Sequence, residues 1–272
     1  MADAVASESD AGSVGHGWRD HLPDRFFHSS LIDQDGVVLD GAEAHHLIHV
    51  LRAKPGLEVT LFDGSGAEFL ARVERVDRSA VRLAVLERRP VDRELSVQIT
   101  LGVAIPKGDR QRWLVEKATE LGVACLTPLI TERAIAQPSG LRRFERTVIE
   151  ASKQCGRNRL MQIATPVRWR EFVAGAGDEG HEASRGEHEP LRPPDSAARF
   201  FAHPGGAATM ADIADKLREA HEIVLAVGPE GGFTDAEARH ALDAGWRAID
   251  LGPRILRVET AALAMVAGCC RR

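Results

Sequence analysis

The spacing of apolar positions divides this chain into two parts. Between residues 57 and 86 apolar and polar side chains largely alternate, in Leu57-Glu58-Val59-Thr60-Leu61-Phe62, Glu68-Phe69-Leu70-Ala71-Arg72-Val73 and Ala80-Val81-Arg82-Leu83-Ala84-Val85-Leu86. Alternation with period two predicts half-buried strands, and Asp63-Gly64-Ser65-Gly66 turns the first pair into a hairpin. The region from about Trp18 to Pro90 therefore reads as a small β-barrel. Within it, His45 to Arg52 carries apolar residues at helical spacing until Pro55-Gly56 breaks the pattern.

From Ser96 onward, short continuous apolar runs alternate with helical stretches. Ser96 to Ile105 predicts a buried strand, and Arg110 to Leu121 a helix that Gly108 or Asp109 caps and Gly122 stops. Val123 to Leu129 predicts the next strand and Leu141 to Cys155 a basic amphipathic helix. Periodicity dissolves from about Gly175 to Ala198, where acids sit among Gly, Ser, Pro and His, which predicts a flexible surface insertion. Strands and helices alternate again to the end. The class is α/β, with a domain boundary in the charged stretch Arg88 to Glu94.

Two glycine-bearing turns follow the late strands: Gly228-Pro229-Glu230-Gly231-Gly232 after Ile223 to Val227, and Leu251-Gly252-Pro253-Arg254-Ile255-Leu256 after Ala248 to Leu251. Open α/β sheets bind ligands at the carboxyl ends of their strands, so two such loops side by side would make one pocket. The phosphate-cradling pattern GxxxxGK[ST] is missing, and Glu230 would repel a polyphosphate. Only one further strand–helix unit follows the first loop, too little for a dinucleotide-binding half. A cofactor without phosphate fits better. S-adenosylmethionine is one, because Gly231 and Gly232 expose backbone N–H groups and its sulfonium tolerates a nearby carboxylate. The alternative is that both turns merely close the sheet.

Composition narrows the partners. With 272 residues, 44% hydrophobic and 28% charged, the chain can bury one large core or two modest ones. No apolar run approaches the roughly 18 residues of a membrane helix. Residues 1–17 are small and acidic, and read as a disordered tail rather than a signal peptide. Cys125, Cys155, Cys269 and Cys270 lack metal-ligand spacing, so the expectation is buried thiols in a reducing cytoplasm and no metal. His45 and His49, four apart, are expected on a barrel-edge surface rather than on a metal. The net charge of −5 conceals a basic region, because Ala104 to Arg170 holds thirteen bases against six acids. Such a cluster makes a local field suited to nucleic acid.

Several motifs occur in order: Lys107-Gly108-Asp109-Arg110, Lys117-Ala118-Thr119-Glu120-Leu121-Gly122, Ser152-Lys153-Gln154-Cys155-Gly156-Arg157-Asn158, Gly228 to Phe233, and Leu251 to Ala261. Together they resemble the RsmE family, SPOUT-class enzymes that methylate uridine N3 in small-subunit (16S) ribosomal RNA. The resemblance runs from about Phe26 to the C-terminus. It implies a trefoil-knotted SPOUT methyltransferase domain over residues 95–272 and an N-terminal PUA-like RNA-binding β-barrel over residues 18–90. It also implies bound S-adenosylmethionine, a cytoplasmic homodimer, and 16S rRNA or the small ribosomal subunit as partner.

Carried over by motif, Gly228, Pro229, Glu230, Gly231, Gly232, Leu251, Gly252, Ile255 and Leu256 form the cofactor loops, and Arg257, Glu259, Thr260 and Ala261 close the pocket. Where the family commonly reads LRTETA, this chain has Val258 in place of the first Thr. Methylating an imide nitrogen requires removal of its proton and stabilisation of charge on O2 and O4. Arg157 is the first candidate for the guanidinium, Glu259 and Glu230 are candidate proton acceptors, and Arg254 and Arg257 are candidates for positioning the base. RNA phosphates are expected at Arg25, Arg52, Lys107, Arg110, Arg142, Arg143 and Arg146. Competing readings are a knotted methyltransferase acting on ribose 2′-O or another base, and a non-catalytic RNA-binding assembly factor.

Overall fold

A computed structural model describes residues 24–134, 142–175 and 197–270, together with the backbone but not the side chain of Arg142. The expected tail over residues 1–17 and most of the insertion expected at 175–198 lie outside the described residues.

The alternating segments pair as five strands: β1 (Arg25–Phe27), β2 (Gly36–Leu39), β3 (Glu58–Phe62), β4 (Glu68–Val76) and β5 (Val81–Arg89). Their order is β1-β3-β4-β5-β2, with β3, β4, β5 and β2 antiparallel in sequence and β1 parallel to β3. Register shifts in the β4–β5 pair at Leu70/Ala71 and Val73/Arg75 bend it, so the expected barrel takes the form of a curled sheet. Its concave face buries Phe26, Leu61, Phe69 and Leu83 around Leu47. Leu47 comes from a helix that starts earlier than its apolar spacing suggested: α1 (Gly41–His45) runs directly into a π turn over His46–Val50.

The second part carries eight strands: β6 (Gln98–Val103), β7 (Cys125–Ile130), β8 (Gln162–Ile163), β9 (Val167–Arg168), β10 (Ala198–Ala202), β11 (Ala208–Thr209), β12 (Glu222–Val227) and β13 (Arg247–Asp250). All pair in parallel, in the order β11-β13-β10-β12-β6-β7-β8, with β9 against β7. Helices cover both faces, which is why the strands read as unbroken apolar runs. On β12, Ile223, Leu225 and Val227 point into one core and Val224 and Ala226 into the other. The first core is shared with α2 (Arg110–Glu120), α3 (Arg142–Cys155), α5 (Ala214–Glu219) and α7 (Val258–Cys269); the second with α4 (Trp169–Ala174) and α6 (Asp235–Asp243). Asp109 occupies the N-cap of α2 but accepts no side-chain capping bond, and Gly122 leaves that helix in the left-handed region (φ 84°). On α3, Phe144, Val148 and Ala151 face the core while Arg143 and Arg146 face water, as its amphipathic spacing requires.

Buried polar contacts join the two parts. Arg25 donates to Glu68 Oε2 (2.9 Å), to Asn158 Oδ1 (2.6 Å) and to the Arg157 carbonyl (3.2 Å). Arg93 adds bonds to the same Glu68 oxygen (2.9 Å) and to the Gly156 carbonyl (3.0 Å), and Lys153 pairs with Glu43 at 3.0 Å. The segment after α3 is thus seated on the curled sheet.

Candidate active site

Because β10, β12 and β13 are parallel neighbours, the loops that follow them (residues 203–207, 228–234 and 251–257) emerge together. They enclose a cleft of about 320 Å³, within the usual size of small-molecule sites of roughly 300–1,000 Å³. Its apolar lining comes from strand ends and the first turn of α7: Val227, Ile249, Leu251, Leu256, Val258 and Ala261. The loops add Gly228, Pro229, Gly231, Gly232, Gly252 and Pro253, together with the polar residues His203, Glu230, Asp250 and Arg254.

Local chemistry shapes these loops. Asp250 ties two of them together, its Oδ1 accepting from the Gly252 N–H (2.7 Å) and its Oδ2 from the Gly205 N–H (3.2 Å). Gly252 itself sits at φ 104°, a conformation open in practice only to glycine. A Cβ on Gly228 would meet the Phe233 nitrogen at 3.1 Å and its ring at 3.2 Å, so a side chain there would crowd the tight first loop. The loop closes with a bond from the Gly232 N–H to the Pro229 carbonyl (2.7 Å), and Arg133 holds the Gly231 carbonyl at 2.7 Å.

Behind the cleft lies a charged cluster. Glu259, in the first turn of α7, is only 5% exposed, and its Oε2 accepts no hydrogen bond. Arg110 Nη1, from the start of α2, stands 3.6 Å from that oxygen, while Arg110 Nη2 donates to Glu230 Oε1 at 3.2 Å.

Most residues expected in the pocket meet there: Gly228, Pro229, Glu230, Gly231, Gly232, Leu251, Gly252, Ile255, Leu256 and Ala261 all line the cleft, as does Arg254. Arg257, Glu259 and Thr260 do not. Arg257 is the exposed N-cap of α7, its carbonyl accepting from Ala261, and Thr260 is exposed one position past Glu259. Val258 is buried against the core and lines the cleft with methyl groups.

Two expectations need correction. Arg157 is 4% exposed and spends its guanidinium inside the molecule, on both Glu94 oxygens (3.0 and 2.5 Å) and on the Thr119 and Val123 carbonyls (2.9 and 3.0 Å). It is absent from the cleft lining and has the surroundings of a structural cation, not of a group that meets an RNA base. Arg25, 8% exposed within the junction described above, is closed to RNA in the same way. Of the other expected RNA contacts, Arg52, Lys107, Arg143 and Arg146 are exposed, while the Arg142 side chain lies outside the described residues. Arg143 and Arg146, with Arg112, line a larger open groove between α2 and α3, where Arg143 hydrogen-bonds Gln111.

Sequence reasoning missed His203, Pro204 and Asp250, which also line the cleft, and Arg133 behind it. His203-Pro204-Gly205-Gly206 follows the apolar Phe200-Phe201-Ala202, so a third strand-then-glycine loop was visible. Arg133 carries no such signal, being brought in by the fold alone. Among the described residues, no three His, Cys, Asp or Glu side chains gather as a metal site.

Comparison with known proteins agrees with this geometry. A family model for an RNA methyltransferase domain matches residues 93–269, and one for an RNA methyltransferase PUA domain matches residues 39–86. The ribosomal RNA small subunit methyltransferase E of Synechocystis is 32% identical over 227 residues, covering 83% of this chain and 69% of that protein. That of Mycobacterium tuberculosis is 32% identical over 251 residues, 87% of each. Among solved structures, the ribosomal RNA small subunit methyltransferase E of Neisseria gonorrhoeae bound to S-adenosyl methionine superposes with a TM-score of 0.76 at 32% identity, covering 91% of this chain and 96% of that one. A methyltransferase from Legionella pneumophila in complex with the same cofactor gives 0.73 at 32% identity, with the same coverage.

Proposed function

This chain belongs to the ribosomal RNA small subunit methyltransferase E family, and on that premise we propose that it transfers a methyl group from S-adenosylmethionine to N3 of a uridine in 16S ribosomal RNA. The observation that carries the proposal is the cleft of three clustered loops, bounded by their glycines, by apolar side chains and by Glu230.

The residues suit an adenosyl ligand. Main-chain groups of the Gly228–Gly232 and Leu251–Leu256 loops would hold its polar edges, and Val227, Ile249, Val258 and Ala261 would pack its flat faces. Arg254 is the one arginine or lysine on the lining, beside His203, and Glu230 and Asp250 oppose it, so the cleft is not built for phosphate. Glu230 favours a positive ligand. The bound cofactor supplies an electrophilic methyl group on a sulfonium. The protein has to bring the uracil in line and remove the N3 proton, since the protonated imide is a poor nucleophile. Of the two candidate proton acceptors, Glu230 lines the cleft and Glu259 lies buried off its lining, which favours Glu230 in this reading. Arg254, exposed at the cleft, takes the positioning role, and Arg257 faces solvent where a phosphate could reach it.

The wider assembly follows the same premise. The groove flanked by Arg112, Arg143 and Arg146 would carry RNA phosphates, and the curled PUA sheet, fixed to the catalytic domain, would extend that surface. β13 neighbours β10, yet α7 returns to the core that β6 and β12 share. That return path supports the trefoil knot of the family. Ile255, 94% exposed at the cleft rim, supports a second copy docking there as a homodimer. No helix among the described residues is long and apolar enough to cross a membrane, in keeping with a cytoplasmic enzyme acting on small subunits.

The test is direct. Protein is incubated with methyl-labelled S-adenosylmethionine and small ribosomal subunits, and the RNA is digested to nucleosides. Labelled N3-methyluridine is the expected product; a 2′-O-methyl nucleoside, or RNA binding without transfer, would replace the proposal with one of its rivals.

A further inference from the structure

The geometry points to Arg133 as a positioning residue that fixes the cofactor loop after β12, and to Gly231 as the residue whose missing side chain makes room for it, on the reading of the cleft as the S-adenosylmethionine site. β7 ends in a turn, Thr131 to Ala134, closed by a bond from the Ala134 N–H to the Thr131 carbonyl (3.2 Å). β6 lies between β7 and β12, so this turn has to reach past one strand to touch the loop. Its two central residues do so. The Glu132 N–H donates to Glu237 Oε1 (2.8 Å), and Glu132 Oε2 accepts from Thr234 Oγ1 (3.3 Å), which fastens the turn to the head of α6. Arg133 Nη1 then donates to the Gly231 carbonyl at 2.7 Å.

Arg133 is exposed and stands off the cleft lining, whereas Gly231 lies on it, so any effect of the arginine on a ligand passes through the loop. The peptide between Gly231 and Gly232 is fixed on both sides, its carbonyl by Arg133 and its N–H by the Pro229 carbonyl at 2.7 Å. The Glu230 and Gly231 N–H groups donate to no protein acceptor among the described residues, which leaves them for a ligand. A loop with glycine at positions 228, 231 and 232 would otherwise lose much backbone freedom on binding. A charge-assisted bond that holds it beforehand removes part of that cost. Gly231 does not take a positive φ, so its backbone would accept alanine. What an added Cβ would meet is the Arg133 stem, with Cδ at 3.3 Å and Cβ at 3.6 Å. The glycine there serves the arginine that lies along it.

Calorimetry on the full chain tests both roles. Arg133→Ala should raise the dissociation constant for S-adenosylmethionine about tenfold, the scale of one hydrogen bond from a charged donor. Tm should stay within about 2 °C of the parent, as for an exposed substitution, and kcat at saturating cofactor within about twofold. Arg133→Lys keeps a charged donor and should restore most of the affinity. Gly231→Ala should weaken binding about threefold in the parent, by crowding the arginine, and leave it unchanged in Arg133→Ala, because contacting residues are not additive. An equal loss in both backgrounds would assign the glycine to close approach of the cofactor instead. An unchanged dissociation constant in Arg133→Ala would overturn the positioning role, with a raised KM for small subunits marking Arg133 as a phosphate contact. Affinity and Tm falling together would make it a structural residue only. Hydrogen exchange needs no ligand: the Gly232 N–H should exchange faster in Arg133→Ala than in the parent, and equal rates would also remove the role. A parent protein that binds no S-adenosylmethionine would sink the functional proposal alone, leaving the exchange comparison to decide the loop.

Discussion

Arg157 and Glu259 show how little a residue type says until its neighbours are known. Both are charged side chains in motif positions, and both are buried. Arg157 has four hydrogen bonds at normal distance, whereas Glu259 Oε2 has none. The saturated group is structural, while the unsaturated one is held by charge alone, 3.6 Å from Arg110. Arg157→Met should therefore leave Glu94 and two carbonyls without their donor. The expected loss is about 3 kcal/mol of unfolding free energy, typical of breaking a buried ion pair from one side, read as a lower urea midpoint. An unchanged midpoint with slowed methyl transfer would return Arg157 to the reaction. The lining glycines were legible because a tight turn after a strand leaves a sequence signature. The guanidinium partners were not, since Glu94 lies 63 positions from Arg157.

At the element scale, the head of α6 governs the Gly228–Phe233 loop. Thr234 Oγ1 accepts from the Glu237 N–H (3.2 Å), and Glu237 Oε2 accepts from the Thr234 N–H (2.9 Å), a reciprocal capping box. Glu237 Oε1 also accepts from the Glu132 N–H (2.8 Å), which ties the segment after β7 to the same cap. Thr234→Ala should cost about 1 kcal/mol and lower Tm by about 3 °C. It should also weaken S-adenosylmethionine binding several-fold by calorimetry, because the loop loses its anchored end. Wild-type affinity with the lowered Tm would separate the cap from the site. Strands with long apolar runs were readable in place and period. Short ones such as β1, β8, β9 and β11 were not, because two or three residues carry no periodicity and form only where a neighbouring strand offers partners.

Across the whole molecule, the junction around Glu68 couples the PUA sheet to the methyltransferase domain. Burial pushes the Glu68 carboxyl up, but hydrogen bonds from Arg93 and Arg25 outweigh it and hold the group below its ordinary value of 4.5. Arg25 is drawn down by the same burial, against the pull of Glu68, from a value high enough that it stays charged at neutral pH. A carboxyl depressed by folding contributes stability that is complete above its unfolded value and is lost as pH falls through the folded one. The junction should therefore weaken below about pH 4.5, and Glu68→Gln should lower stability at pH 7 while flattening the acid slope. Urea midpoints from pH 3 to 7 for both proteins would check this; parallel slopes would remove Glu68 from the linkage.

The chain's own order of residues determined the α/β class, the β-rich first part, the glycine turns after two late strands and the basic middle region. These depend on period, turn chemistry and charge, which are properties of neighbours along the chain. Tertiary structure decided which charges face the cleft and which lock the two parts together, and it brought His203, Asp250 and Arg133 to the loops. It also separated Arg110, poised between two carboxylates, from Arg157, enclosed by the junction. The physical reason is distance: Arg110 meets Glu230 across 120 positions of chain, and contacts of that separation exist only once parallel strands have been laid side by side.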